Sequence, residues 1–265
     1  MSATTTELGF TQGSRSSLTG LRRFNLVVGL VHLVQAVLML VLSNGFTLPI
    51  TRTFLNGPPG TVPVTTTFLD VRLGPAVAIF LFLAAFDHLL MAAPGINERY
   101  NRMLGERRND FRWIEYSISA SLMIVLISMI CGVSDFGALL AIAGVNACML
   151  FFGLLMERYN RTTGSERDWL PYVYGCIAGA VPWVIIAFEI GFSIELSKNS
   201  IPGFVYGIIL SLFIFFNSFA VNMVLQYRQT GRWRDYLYGE KAYIVLSLIA
   251  KSALAWQVFA NILVK

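Results

Sequence analysis

Charge is what this chain has least of. Only 13% of its 265 residues are Asp, Glu, Lys or Arg, about half the share usual in a soluble domain. With 55% hydrophobic residues and a mean hydropathy of +0.64, that excludes a water-soluble globule. Cysteine is scarce too: Cys131, Cys148 and Cys176 lie in or beside apolar runs without CxxC spacing. They read as small packing residues, not as a disulfide framework or a zinc site. The first twenty residues are polar and Ser/Thr-rich, with no apolar core and cleavage site, so no removable signal peptide is expected. No linker divides the chain, and no internal repeat suggests two inverted transporter halves. One domain over residues 1–265 is the reading. The net charge of +5 does not imply nucleic acid, because its placement along the chain explains it better.

What is present is length in apolar runs. Seven stretches of about twenty residues can each cross a bilayer: about 21–43, 73–93, 111–132, 135–157, 169–191, 202–227 and 241–263. The first connection differs from the rest. It is rich in Thr, Val and Phe on both sides of Asn56-Gly57-Pro58-Pro59-Gly60, which predicts two short strands around a turn, lying over one end of the bundle. The fold class is therefore an all-α membrane bundle of seven helices with a short extracellular β-hairpin in the first loop.

Orientation can be counted. The amino-terminal tail and the second, fourth and sixth connections carry fifteen Lys or Arg residues; the opposite side carries four, and Lys251 is the twentieth. The positive-inside rule then puts the amino terminus in the cytoplasm and the carboxyl terminus outside, in the cell membrane. The sequon Asn160-Arg161-Thr162 falls on the inner side and is expected to stay unglycosylated.

Against this background the ionisable residues inside the spans stand out: His32, Asp87, His88, Glu115, Glu157, Glu189, Glu240 and Lys251. Glu157, Glu189 and Glu240 fall near predicted span ends, where water or headgroups can reach them. Lys251 does not. A lysine near the centre of a membrane helix costs about 2.5–3.5 kcal/mol on insertion scales, so it needs a reason. Its simplest partner is Glu115, the carboxylate beyond the first turn of the third span. Glu115 is shallower than Lys251, so their approach requires the lysine to reach toward the cytoplasm and the third helix to begin well before Arg112. Such a pair suits a structural clasp, a proton-coupling transporter, or a desolvated amine that condenses with an aldehyde and then needs one counterion. Met123, Met149, Trp183, Phe213, Phe216 and Trp256 would accept a conjugated chain, but any bundle core contains such residues.

Longer strings decide among these. "FRWIEYSISASLMIVLI", "CGVSDFGALLAIAGVNACM", "GCIAGAVPW", "IPGFVYGIILSLFIFFNSFA" and "GEKAYIVLSLIAKSALAWQ", with "NLVVGLVHLVQ" and "TFLNGPPGT" nearer the amino terminus, resemble heliorhodopsins over essentially the whole chain. The resemblance implies a seven-helix microbial-type rhodopsin with all-trans retinal bound covalently to Lys251 as a protonated Schiff base, and Glu115 as counterion. It implies the same inverted topology that the charge count yields on its own. Ser247, one turn before Lys251, would lie beside the Schiff base. His32 and His88 match histidines lining a polar, proton-accepting cavity on the cytoplasmic side, and Asn109, Arg112, Glu157 and Glu240 match the residues closing it. Tyr116, Ser119, Met123, Asn146, Met149, Trp183, Phe216 and Asn217 are the remaining pocket candidates. Two positions depart from the pattern: Asp87, an acid beside His88 where an apolar residue is usual, and Ala84 in place of a serine. Asp87 is expected to face the cytoplasmic headgroups; turned inward, it would add a proton site.

The function implied is photochemical, not enzymatic: a light-sensing photoreceptor that signals and does not pump. On the third span, no carboxylate lies outward of Glu115, where Ser121, Met123, Leu126 and Ser128 stand, and this disfavours vectorial proton transport. The alternative is a light-driven or light-gated proton transporter; a retinal-free transporter stands further back. Expected partners are the lipid bilayer, a second copy in a homodimer as the resemblance implies, and an unidentified cytoplasmic signalling protein on the basic inner loops.

Overall fold

The computed structural model describes residues 12–160, 166–196 and 202–264. The chain runs α1 (Gln12–Leu42), β1 (Thr47–Leu55), β2 (Pro63–Arg72), α2 (Leu73–Ala92), α3 (Ile96–Gly105), α4 (Asp110–Ile130), α5 (Phe136–Tyr159), α6 (Leu170–Leu196), α7 (Gly203–Tyr227) and α8 (Tyr236–Val258). A π-helical turn, Phe259–Leu263, ends α8. Among the described residues, seven helices are long and apolar enough to cross a membrane: all but α3.

Three boundaries fall outside the expected spans. α1 begins at Gln12, not near 21, because its first turns are polar and hydropathy cannot see them. α6 runs to Leu196. α8 begins at Tyr236, not near 241, with Asp235 accepting from Leu237 N at 3.0 Å as its cap. The short helix α3 lies where only a basic loop is expected. Its Asn97, Tyr100, Met103 and Leu104 are buried at helical spacing while Glu98, Arg99 and Arg102 sit on the turns between. The sequon's Arg161 and Thr162 lie outside the described residues, as do Lys198 and Lys265 of the charge count.

The hairpin forms as expected, β1 antiparallel to β2 from Thr47↔Arg72 to Leu55↔Pro63. It is pinned to the turn between α4 and α5: Thr51 N donates to Ser134 O at 2.7 Å, and their hydroxyls pair at 3.0 Å. The core beneath it is dry. Phe80, Leu81, Ile124, Leu126, Ile127, Leu254 and Val258 from α2, α4 and α8 are fully buried against one another. Cys131 is buried as expected, whereas Cys148 and Cys176 are exposed, Cys176 on the lining of a cavity.

Helix packing is uneven. α6 lies on α5 and α7 on α8, whereas α6 and α7 meet mainly through Trp183 against Phe213 and Phe216. Gly153 lets α4 and α5 close on each other: a Cβ there would sit 2.3 Å from the Trp113 ring.

Candidate functional site

Lys251 and Glu115 meet. Nζ donates to both carboxylate oxygens, at 2.7 and 2.9 Å, with the two side chains 4% and 6% exposed. The helices reach this geometry without the early start of α4 that the depth argument requires. Asn109 touches Glu240, so those residues are level. From there Lys251 is about 16 Å along α8 and Glu115 about 9 Å along α4 at the helical rise. Helical side chains lean toward their own amino terminus, and the lysine stem covers the remaining difference of about 7 Å. The Tyr116 ring lies 5.1 Å from Nζ, and its hydroxyl donates to Tyr243 O at 3.2 Å.

A cavity of about 70 Å³ adjoins the amine, lined by Tyr116, Ser119, Met123, Met149, Phe216 and Ser247 among others. A second, of about 430 Å³, shares Trp113, Met149, Leu150, Phe216 and Phe219 with it and continues between α5, α6 and α7 past Trp183. Together they make an apolar trough with Lys251 at its inner end. The Ser119 and Ser247 hydroxyls line this cavity with Lys251; Ser119 has no partner in the protein, and Ser247 is within reach of the Tyr116 hydroxyl. Two candidates have polar partners of their own. Asn146 ties α5 to α4 by donating to Ser121 Oγ at 3.1 Å. Asn217, at the exposed edge of the larger cavity, donates to Phe213 O of its own helix at 2.8 Å.

Toward the end of the bundle where α1 begins, His32 and His88 stack with centroids 5.8 Å apart and planes 7° from parallel. His88 Nδ1 is 2.8 Å from Asn25 Oδ1. Because the Asn25 amide nitrogen donates to Leu21 O, its oxygen must accept, so His88 carries a proton on Nδ1. Neither ring nitrogen of His32 has a partner in the protein, as suits a proton-accepting cavity.

Beyond them Asn109, Arg112, Glu157 and Glu240 come together. The Arg112 guanidinium bonds Glu157 through one nitrogen and Glu240 through another. Asn109 caps α4 by accepting from Arg112 N at 3.2 Å, while its backbone N–H donates to Glu157 at 2.8 Å and its amide to Glu240 at 2.6 Å. Water and headgroups do not reach Glu157 and Glu240, as their places near span ends suggest they should; each is 1% exposed. α3 and the early start of α8 cover them. Tyr100 of α3 donates to Glu240 at 3.2 Å, and burial together with the nearby Glu240 carboxylate holds its phenol well above its ordinary range.

Asp87 does not face the headgroups. It is 7% exposed, on the inner face of α2 with Ala84 and Met91. Sequence reading also misses Asn25 and Tyr100. A signal existed for both: Asn25 is two turns from His32 on one face of α1, and Tyr100 sits mid-pattern in α3.

A buried lysine amine at the end of an apolar trough, paired with one carboxylate on a seven-helix frame, is an arrangement that a retinal-binding protein requires. The light-driven proton pump of Leptosphaeria maculans has a similar solved structure, with a TM-score of 0.63 over 91% of this chain and 95% of that one. At 16% identity that likeness concerns the fold alone. No curated protein matches the sequence. The heliorhodopsin family model matches residues 21–263, and the chain belongs to the heliorhodopsin family. Membership in a rhodopsin family implies a retinal chromophore and a multi-pass membrane protein.

Proposed function

We propose that this protein is a light-sensing photoreceptor in which Lys251 carries retinal covalently and Glu115 is the counterion. The observation that carries the reading is the buried Lys251–Glu115 pair at the inner end of the trough. When bound, retinal supplies light absorption and isomerisation from all-trans to 13-cis. The chain supplies the rest. Met123, Met149, Trp183 and Phe216 give the trough an apolar wall. Glu115 stabilises positive charge on the Lys251 nitrogen, and Ser119 and Ser247 lie beside it as hydrogen-bonding hydroxyls. When the nitrogen moves away from Glu115 the ion pair weakens and its proton leaves; His32 and His88 are the bases placed to take it.

The proton's surroundings favour signalling. Outward of Lys251 the packed side chains of Phe80, Ile124, Leu126, Ile127 and Leu254 offer no ionisable group. On the inner side lies the Arg112 cluster, whose polar contacts can rearrange, on a face rich in arginine. The amino terminus and that basic face are cytoplasmic, the carboxyl terminus is extracellular, and a second copy and a cytoplasmic protein are the partners. The second reading, a light-driven or light-gated proton transporter, is kept by one observation: Asp87 is buried inside the bundle. The test is patch-clamp recording under illumination at several voltages, on the wild type and Asp87→Asn. No steady current is expected in either. A sustained current in the wild type that vanishes in Asp87→Asn would make the protein a transporter.

A further inference from the structure

The two stacked histidines are not equivalent. Both are buried, and their near-parallel rings lie 5.8 Å apart, yet their hydrogen bonding differs. Among the described residues, neither ring nitrogen of His32 has a partner. His88 Nδ1 is 2.8 Å from Asn25 Oδ1. Asn25 cannot turn over and offer its nitrogen to the ring instead. That nitrogen donates to Leu21 O, one turn earlier on α1, at 3.2 Å; a flipped amide would set oxygen against oxygen there. The same amide is in hydrogen-bonding reach of Tyr100, whose hydroxyl donates to Glu240. The chain of donors therefore runs in one sense, from His88 toward the Glu240 carboxylate.

We infer that Asn25 is a positioning residue for proton acceptance: it holds His88 in the Nδ1–H form, makes Nε2 the accepting nitrogen, and makes His88 the place where the proton comes to rest. Which nitrogen of a histidine is protonated is set by the hydrogen bond the other groups offer it, and Oδ1 of Asn25 offers an acceptor to Nδ1 alone. When a proton binds at Nε2, the Nδ1–H bond to Asn25 becomes charge-assisted and strengthens. His32 has no such acceptor in the protein. It can carry its proton on either nitrogen, as a relay must, but nothing there favours keeping a second one. Two imidazolium ions 5.8 Å apart also repel, so the pair stores one proton at a time. In the forward step the Lys251 nitrogen loses an N–H bond and His88 Nε2 gains one; the return step reverses both changes. The resting place rests on the photoreceptor reading. The form of His88 does not, because no retinal is needed to set it.

The chain has only 2 histidines, so nuclear magnetic resonance of isotope-labelled histidine nitrogens in the membrane-embedded, full-length protein can test this in two arms. The first uses retinal-free protein at neutral pH, with His32→Phe identifying the signals of the remaining ring. His88 is expected to show a protonated Nδ1 and a bare Nε2. The proton should move to Nε2 in Asn25→Leu and stay on Nδ1 in Asn25→Asp, whose side chain still presents an accepting oxygen. An Nε2–H ring in the wild type, an Nδ1–H ring that survives Asn25→Leu, or loss of the Nδ1 proton in Asn25→Asp would overturn the proposal. The second arm adds all-trans retinal and light. Imidazolium signals are expected at His88 in the wild type and not in Asn25→Leu. A proton that comes to rest on His32 in the wild type would sink the assignment of His88. A wild type that stays colourless with retinal would defeat the photoreceptor reading, while the first arm would still decide whether Asn25 sets the form of His88.

Discussion

Replacing Glu115 by Gln removes a charge from the buried pair and almost nothing from its volume. The amine contacts both oxygens at 2.7 and 2.9 Å. At that separation, with an effective dielectric constant of about 20, their attraction is about 6 kcal/mol. Desolvation of two ions offsets most of it, so the intact pair contributes little net stability. Breaking it is different. One stranded charge costs about 3–5 kcal/mol, and the Tyr116 ring 5.1 Å away returns only about 1 kcal/mol. Glu115→Gln should therefore destabilise the retinal-free protein by about 3 kcal/mol. Lys251→Met strands the carboxylate instead and should cost a similar amount. The double variant strands neither and should cost little, so its loss should fall short of the summed single losses by about 6 kcal/mol. Reversible unfolding in mixed micelles of rising denaturing-detergent content, followed by helical circular dichroism, measures all four proteins. Single losses that simply add, within about 0.5 kcal/mol, would refute the argument that the two groups face each other without water between them.

Three further outcomes are expected. Lys251→Arg should fold yet acquire no visible band with all-trans retinal, because a guanidinium does not form the imine; hydroxylamine-resistant colour in Lys251→Ala would remove Lys251 from the attachment role. Epitope tags on intact cells should be reachable at the carboxyl terminus and hidden at the amino terminus, and the opposite result would reverse the topology. Tyr100 titrates above its ordinary value of 10.0 when folded, so it favours the folded state below that pH and the benefit fades as pH rises above it. Stability measured between about pH 10 and 11 should fall less steeply in Tyr100→Phe, by about 1.4 kcal/mol per pH unit.

Helices, hairpin and the Lys251–Glu115 pair are legible in the sequence because each rests on one strong physical signal. Span length and hydropathy report the helices, β-branched residues around Asn56-Gly57-Pro58-Pro59-Gly60 report the hairpin, and the rarity of a mid-membrane lysine reports the pair. What escapes is whatever depends on coverage. Glu157 and Glu240 look exposed by position, but the extra turn at the start of α8 and the helix α3 bury them. α3 itself is hidden because the arginines that enter the topology count also make its stretch look like a plain loop. Asp87 is misplaced for a related reason: an acid near a helix end is ordinarily solvated, and only the packing of α1, α2 and α4 shows that this face of α2 is the inner one. Asn146 and Asn217 show what a polar side chain in an apolar run leaves open: the first donates to a neighbouring serine, and the second lines the larger cavity while its amide donates to its own backbone.

The signalling reading needs an element that can hold two arrangements, and the Arg112 cluster has that character. It ties three helices at one point: Asn109 and Arg112 belong to α4, Glu157 to α5 and Glu240 to α8. Glu240 and Lys251 are eleven residues apart on α8, about three turns of one rigid rod. A displacement of α8 that follows weakening of the Lys251–Glu115 pair therefore pulls on Glu240. Arg112 holds two carboxylates with one charge, so loss of either contact leaves a buried negative group and is resisted until it becomes complete, when water enters and solvates what is freed. Small movements are absorbed and larger ones open the seal. Asn25 and Tyr100 connect the same cluster to the histidines: His88 bonds Asn25, the Asn25 side chain is in hydrogen-bonding reach of Tyr100, and Tyr100 bonds Glu240. A proton arriving at the histidine pair thus changes charge at one end of a connected network whose other end is the closure. Both the helix and the network converge on Glu240, so its replacement by Gln should uncouple the cytoplasmic face from events at Lys251 while leaving the Lys251–Glu115 pair in place. Hydrogen exchange of α3 and the start of α8, compared in dark and light, measures this. A light-induced change of equal size in Glu240→Gln would place the coupling elsewhere.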